Sequence, residues 1–218
     1  MRKRPGGWLL TGAMAATAAV ALGLGVTPSL ASTATTWTVK PGGKFSATNT
    51  SKITVRDTTT GVVISCNPSS LAGKLKSGSG LPGIKIGAIT AFSFSACHGP
   101  AGITYALMTS ASKARPWKLN AESYDTASGE TSATVTGIVA AWSGFGCTVT
   151  ISAANPVTPG RLEVKYTDSA HKLQLVASGS NLHLHNVSAG CVGLWNSGDH
   201  LTIVGTYAVA PAQTISRQ

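Results

Sequence analysis

The residues whose types and spacing best suit chemistry lie near the C-terminal end of this 218-residue chain, in NLHLHNVSAGCVG, from Asn181 to Gly193. His183 and His185 stand two apart on a strand-like run, so both imidazoles would leave the same sheet face and could reach one metal ion. A zinc site needs a further ligand, and His171, Asp199 and His200 are the nearest in sequence. If HKLQLVA pairs with NLHLHNVS as a hairpin, Gln174 or Lys172 comes opposite instead, and neither suits zinc. The pair reads first as solvated outer-face histidines, next as buried hydrogen-bonded ones, and last as metal ligands. No cofactor is expected.

Other chemistries have less to work with. Acid–base cleavage of a sugar needs two carboxyl groups roughly 5 to 9.5 Å apart. The chain has 7 acidic residues: Asp57, Glu122, Asp125, Glu130, Glu163, Asp168 and Asp199. Most sit in turn-like contexts, SYDTASGE, TDSA and NSGD, where a carboxylate bonds nearby backbone. There is no G-x-S-x-G elbow, and SGSGLPG lacks the lysine and helix of a phosphate loop. His98 beside Cys97 has no thiolate partner once that cysteine is oxidised. No catalytic residue is therefore assigned. Sugar rings stack on flat aromatic faces, and Trp142 and Trp195, each beside a turn and near a cysteine, are the binding candidates. Burial in the core is the commoner use of tryptophan.

The elements that must position these residues are strands throughout. Alternating apolar runs such as KITVRD, GVVISC, WKLNAESY, RLEVKY and HLTIVGTYAV are separated by Gly, Pro, Asn, Asp and Ser. In RLEVKY, Leu162, Val164 and Tyr166 share one face while Glu163 and Lys165 share the other. Only SSLAGKLKSG has room for a helical turn, and its glycines argue against one. The expected fold is all-β, an antiparallel β-sandwich or two packed β-rich halves. A faint likeness between ITAFSFSAC and LHLHNVSAGC divides the chain into halves of about 36–125 and 130–210. The tail after Val209 loses the alternation and is expected to cover an edge loosely.

The N-terminal MRKRPGG, the uncharged run from Trp8 to Val26 and the small residues Ser29 and Ala31 form a secretory signal pattern. Cleavage is expected after Ala31, with Ala34 as the alternative, which makes 1–31 the signal peptide and 32–218 the mature region. Three of the 17 basic residues lie in that leader, leaving 14 against 7 acidic, so the formal charge falls from +10 to +7. The lysines are dispersed along the sequence. Their field reads first as a solubility device and second as affinity for anionic wall polymers or nucleic acid. Four cysteines in an exported chain imply two disulfides with three possible connectivities. Pairing within the two halves, Cys66 with Cys97 and Cys147 with Cys191, is preferred.

The run DTTTGVVISCNPSSLAGKLKSGSGLPGIKIGAITAFSFSACHGPAG, continued by PWKLNAESYD and AGCVGLWNSGDHLTIVGTY, resembles a pattern recurrent in exported, β-rich proteins of actinobacterial type with four cysteines in these contexts. The resemblance implies export and β structure, and brings no activity or catalytic residue with it.

The functional expectation is a non-catalytic structural or binding role at the cell surface or outside the cell, either secreted or wall-associated. Cell-envelope polysaccharide or another anionic polymer is the expected kind of partner, and no permanent membrane span should survive signal cleavage. The alternatives are a secreted hydrolase with a site assembled from distant residues, and a basic adhesin for anionic envelope polymers.

Overall fold

Across residues 35–218, the part of the chain that the computed structural model describes, apolar side chains at alternate positions turn inward and their neighbours face solvent. The expected signal peptide lies outside these residues, as do both expected cleavage points. The first strands are β1 (Thr36–Lys40), β2 (Gly43–Asn49), β3 (Ile53–Asp57), β4 (Val63–Cys66), β5 (Ser69–Leu75), β6 (Gly78–Pro82), β7 (Gly87–Phe94), β8 (Cys97–His98) and β9 (Thr104–Thr109). There follow β10 (Trp117–Asp125), β11 (Glu130–Ile138), β12 (Ala140–Gly144), β13 (Cys147–Ser152), β14 (Gly160–Thr167), β15 (Lys172–Val176), β16 (Leu182–His185), β17 (His200–Ala210) and β18 (Thr214–Arg217).

Two closed rings of antiparallel strands emerge from the pairings. The proximal ring runs β2, β5, β7, β10, β11, β14, β15 and the C-terminal part of β17, which pairs back onto β2. The distal ring runs β3, β4, β8, β9, β12, β13, β16 and the N-terminal part of β17, which pairs back onto β3. Both rings follow the same order because the chain makes up-and-down passes through them: β2 into β3, β4 into β5, β7 into β8, and so on to β17. Every pass but β17 is interrupted once on the way. The molecule is therefore an all-β, up-and-down barrel with one continuous apolar core.

This corrects the expected sandwich. A sandwich and a barrel demand the same alternation of buried and exposed residues. What separates them is whether first and last strands meet, and here Ala47 faces Val209 and Val55 faces Ile203. Nor are there two packed halves: segments 36–125 and 130–210 are hydrogen-bonded to each other along β10–β11 and again along β17. SSLAGKLKSG is strand β5 rather than a helical turn, held on both sides by β2 and β7.

Each mouth of the barrel is closed differently. At the proximal end β18, β1 and β6 form a separate sheet that covers the opening with Ile215, while Trp37 and Val39 are buried within it. The tail after Val209 is thus a strand of the cap, not a loose cover. The Tyr166 hydroxyl donates to the Gln213 carbonyl at 2.9 Å, and the Gly42 N–H donates to Gln213 Oε1 at 3.0 Å. Gly42 takes φ +70°, and a Cβ there would lie 2.5 Å from the Lys76 carbonyl oxygen, so the latch needs glycine. The Ile215 N–H donates to Asp168 at 3.1 Å; burial pushes that carboxyl up and this bond opposes the push.

At the distal end segment 186–199 folds over the opening. Trp195 packs on Trp142 with ring centroids 4.8 Å apart. Cys66 and Cys97 are bonded across directly opposed positions of β4 and β8, and Cys147 is bonded to Cys191. The connectivity is the preferred one, and two disulfides with no free cysteine among the described residues fit an extracellular setting. No helix among the described residues is long and apolar enough to cross a membrane.

Candidate binding groove

Barrel closure decides where the chemistry-bearing side chains go. His183 and His185 do share the outer face of β16, but their neighbours are not those of a β15–β16 hairpin. β16 lies between β13 and β17, placing His183 opposite His200 and Ser152, while Gln174 faces Thr206. His185 is buried, and its Nε2–H donates to the Ala153 carbonyl at 2.8 Å. The Nε2–H of His200 donates to the Ser180 carbonyl at 2.8 Å, and its Nδ1 lies 3.3 Å from Thr58 Oγ1. His183 meets His200 edge to face, ring centroids 5.1 Å apart, and its Nδ1–H donates to the Asn181 carbonyl at 3.0 Å. These nitrogens are held by carbonyls, and no group of three metal-ligating side chains occurs among the described residues.

The tryptophan candidates are in the core. Trp142 and Trp195 are each 1% exposed, so neither offers a face to a sugar. Cys97 is oxidised, which leaves His98 without a nucleophile.

One carboxylate pair does converge. Asp57 is fully buried at the end of β3, and Asp199 is nearly so just before β17. Asp57 Oδ1 accepts from the Thr59 and Thr60 N–H groups at 2.7 and 3.0 Å, and Asp199 Oδ2 accepts from the Asn196 N–H at 2.8 Å. Each carboxylate thereby fastens its own turn. Asp57 Oδ2 has no hydrogen-bond partner, and the Asp199 carboxyl lies close enough to bear on it. Burial, and then the facing carboxyl, push Asp57 up, against the pull of the Thr59 and Thr60 N–H groups. Both carboxyls are buried, and each holds the turn it belongs to.

The barrel interior is nearly filled. Cavities of about 50 Å³ under the cap and about 30 Å³ near the ring junction are lined by side chains such as Phe45, Leu119, Phe92 and Leu182. Small-molecule sites typically need about 300 to 1,000 Å³. These interior cavities are smaller than such a site.

On the outer wall of the proximal ring lies a groove of about 660 Å³. Lys74, Lys76, Lys85 and Lys118 line it, Ala88 and Gly87 form part of its floor, Leu81 of the cap sheet walls one side, and no carboxylate is among its lining residues. The register explains the gathering. Lys44 lies opposite Lys74, Lys74 opposite Ala88, and Ala88 opposite Lys118, so one row across four strands holds three lysines about a small residue. All are exposed, because each precedes an inward apolar residue: Phe45, Leu75 and Leu119. The one salt bridge among the described residues, Lys165 to Glu130 at 2.7 Å, lies elsewhere, so the groove ammonium groups have no counter-ion. Like charges on adjacent strands repel by roughly 0.2 to 1 kcal/mol per pair.

Sequence reading missed this cluster because Lys44, Lys74 and Lys118 lie far apart in the chain. The available signal was the repeated lysine-then-apolar step in three runs that alternate. A second hollow of about 340 Å³, lined by Arg115, Val139 and Pro159, shares Pro116 and Lys118 with the first.

No family model, no curated protein and no solved structure matches this chain.

Proposed function

We propose that this is an exported, non-catalytic binding protein that holds anionic polymers of the cell envelope in the lysine-lined groove of its proximal ring. The single observation that carries the reading is the convergence of Lys74, Lys76, Lys85 and Lys118 on one groove with no carboxylate in its lining. Uncompensated charge on a concave wall concentrates its field and draws polyanions. The signal pattern at residues 1–31, the likeness to exported proteins of actinobacterial type and the two disulfides support export. Among the earlier alternatives this favours the basic adhesin over the hydrolase, since the one converging carboxylate pair is buried.

Anisotropy titration of the protein against labelled polygalacturonate, with dextran as the neutral control, tests the reading. Saturable, salt-sensitive binding to the polyanion alone is expected, with a loss of at least about tenfold in the Lys74→Glu/Lys118→Glu variant. A double variant that binds as tightly as the parent sinks the proposal.

A further inference from the structure

We infer that the occupant of the groove is an acidic glycan, a chain of sugar units bearing carboxylate or phosphate groups, which runs from the lysine groove into the adjoining hollow past Pro116. This rests on the polyanion reading above and narrows it.

Three observations point to a sugar chain. First, the two hollows meet at Pro116 and Lys118, which gives an extended track rather than a closed pocket. Lys74 and Lys118 stand two strands apart, roughly 9.6 Å, and Lys74 and Lys76 two residues apart, roughly 6.8 Å. Such spacings suit a charge on every unit or every second unit of a linear polymer. Second, the track is not uniformly cationic. Leu81, Pro116, Val139 and Pro159 give it apolar walls, and Val139 is 40% exposed. Sugar rings have C–H faces to place there, whereas a bare polyphosphate has none. Third, no aromatic side chain lines either hollow, so unstacked nucleobases lack the platforms on which single-stranded nucleic acids are held, and sugar rings here would rest their C–H faces on the aliphatic walls instead of an aromatic face. Lysine also suits the ligand, being a point charge on a flexible stem that does not demand one fixed anion geometry.

Salt titrations with polygalacturonate, inorganic polyphosphate and single-stranded DNA, matched in total charge, decide the matter. Log affinity should fall with log salt for each polymer, because counterions are released. At 0.5 M salt, chosen to suppress the ionic part to roughly a tenth or less, polygalacturonate should remain about tenfold tighter than the other two, a difference of about 1.4 kcal/mol. Val139→Ser should narrow that gap by about threefold. Equal affinities for polygalacturonate and polyphosphate at every salt concentration would overturn the inference, as would DNA binding that matches the glycan or a gap that Val139→Ser leaves unchanged. If none of the polymers binds even at low salt, the polyanion reading itself has failed, a different outcome.

Discussion

The two rings of the barrel share one core and one strand order, yet they are stabilised by different means. All four cysteines belong to the distal end, which also holds the edge-to-face pair of Trp142 and Trp195 and the buried Asp57 and Asp199. Its strands carry a single basic residue, Arg56, whereas the proximal strands carry Lys44, Lys74, Lys118, Arg161, Lys165 and Lys172. The proximal mouth is closed by a cap held through hydrogen bonds to Gln213 and Ile215, with no covalent tie. Covalent closure thus sits where the end is built from a long folded-over segment, and repulsive surface charge where the groove lies. On the proposed reading, stability and binding are divided between the two ends.

The largest test of that division removes a disulfide. Cys147→Ala with Cys191→Ala opens a loop of sequence separation 44, which should cost about 4 kcal/mol and lower Tm by roughly 8 to 16 °C. Hydrogen exchange should rise first in β12, β13 and β16. Equal loosening of both rings would break the comparison. A smaller effect, roughly 1 to 3 kcal/mol, is expected from Gln213→Ala, which leaves the buried Gly42 N–H without its acceptor. Faster exchange should then be confined to β1 and β18, with the distal strands unchanged.

The buried aspartates give the next effect and its sign. Because the Asp57 carboxyl is pushed up in the folded protein, the native state keeps a proton that the unfolded chain loses near pH 4. Stability from this group should therefore fall as pH rises from about 4 until folded Asp57 ionises, by up to about 1.4 kcal/mol per pH unit. Asp57→Asn keeps an oxygen for the Thr59 and Thr60 N–H groups and can donate to Asp199. Its denaturation midpoint should lose that part of the pH dependence, and an unchanged difference between pH 4.5 and pH 8 would show that the Asp57 carboxyl is not its source. The smallest effect concerns the groove. Lys74→Glu replaces repulsion with Lys44 by attraction, so it should stabilise by about 0.5 kcal/mol at low salt and by almost nothing at 1 M. That gain, beside lost polyanion binding, would separate the binding defect from misfolding.

Local features were legible in the sequence and closure was not. RLEVKY announced its buried face, and the cysteines announced their pairing through their place in the two sequence halves. Whether residue 47 meets residue 209 is a matter of twist and of the six other strands of the ring, and no local pattern encodes it. The same gap hid the groove, since Lys74 and Lys118 become near neighbours only through the register of β7 between them. It also misplaced the histidines: a break before β16 shifts that strand into the distal ring, away from β15, and His185 is then buried against the Ala153 carbonyl. The tryptophans lay beside turns, as the sequence suggested, but Trp142 is an inward residue of β12 and Trp195 packs against it, so both rings are buried.

Strand β17 alone runs unbroken through both rings and completes both. Before residues 200–210 are in place, β2 and β3 on one side and β15 and β16 on the other present unpaired N–H and C=O groups, a template for strands of other chains. Because its closing contacts join the two ends of the chain, the barrel should fold slowly, as topologies rich in distant pairings do. Loss of this one strand would open both ends together, so neither ring could survive as an independent fragment, and the long-lived incomplete form would be an aggregation hazard rather than a smaller working protein.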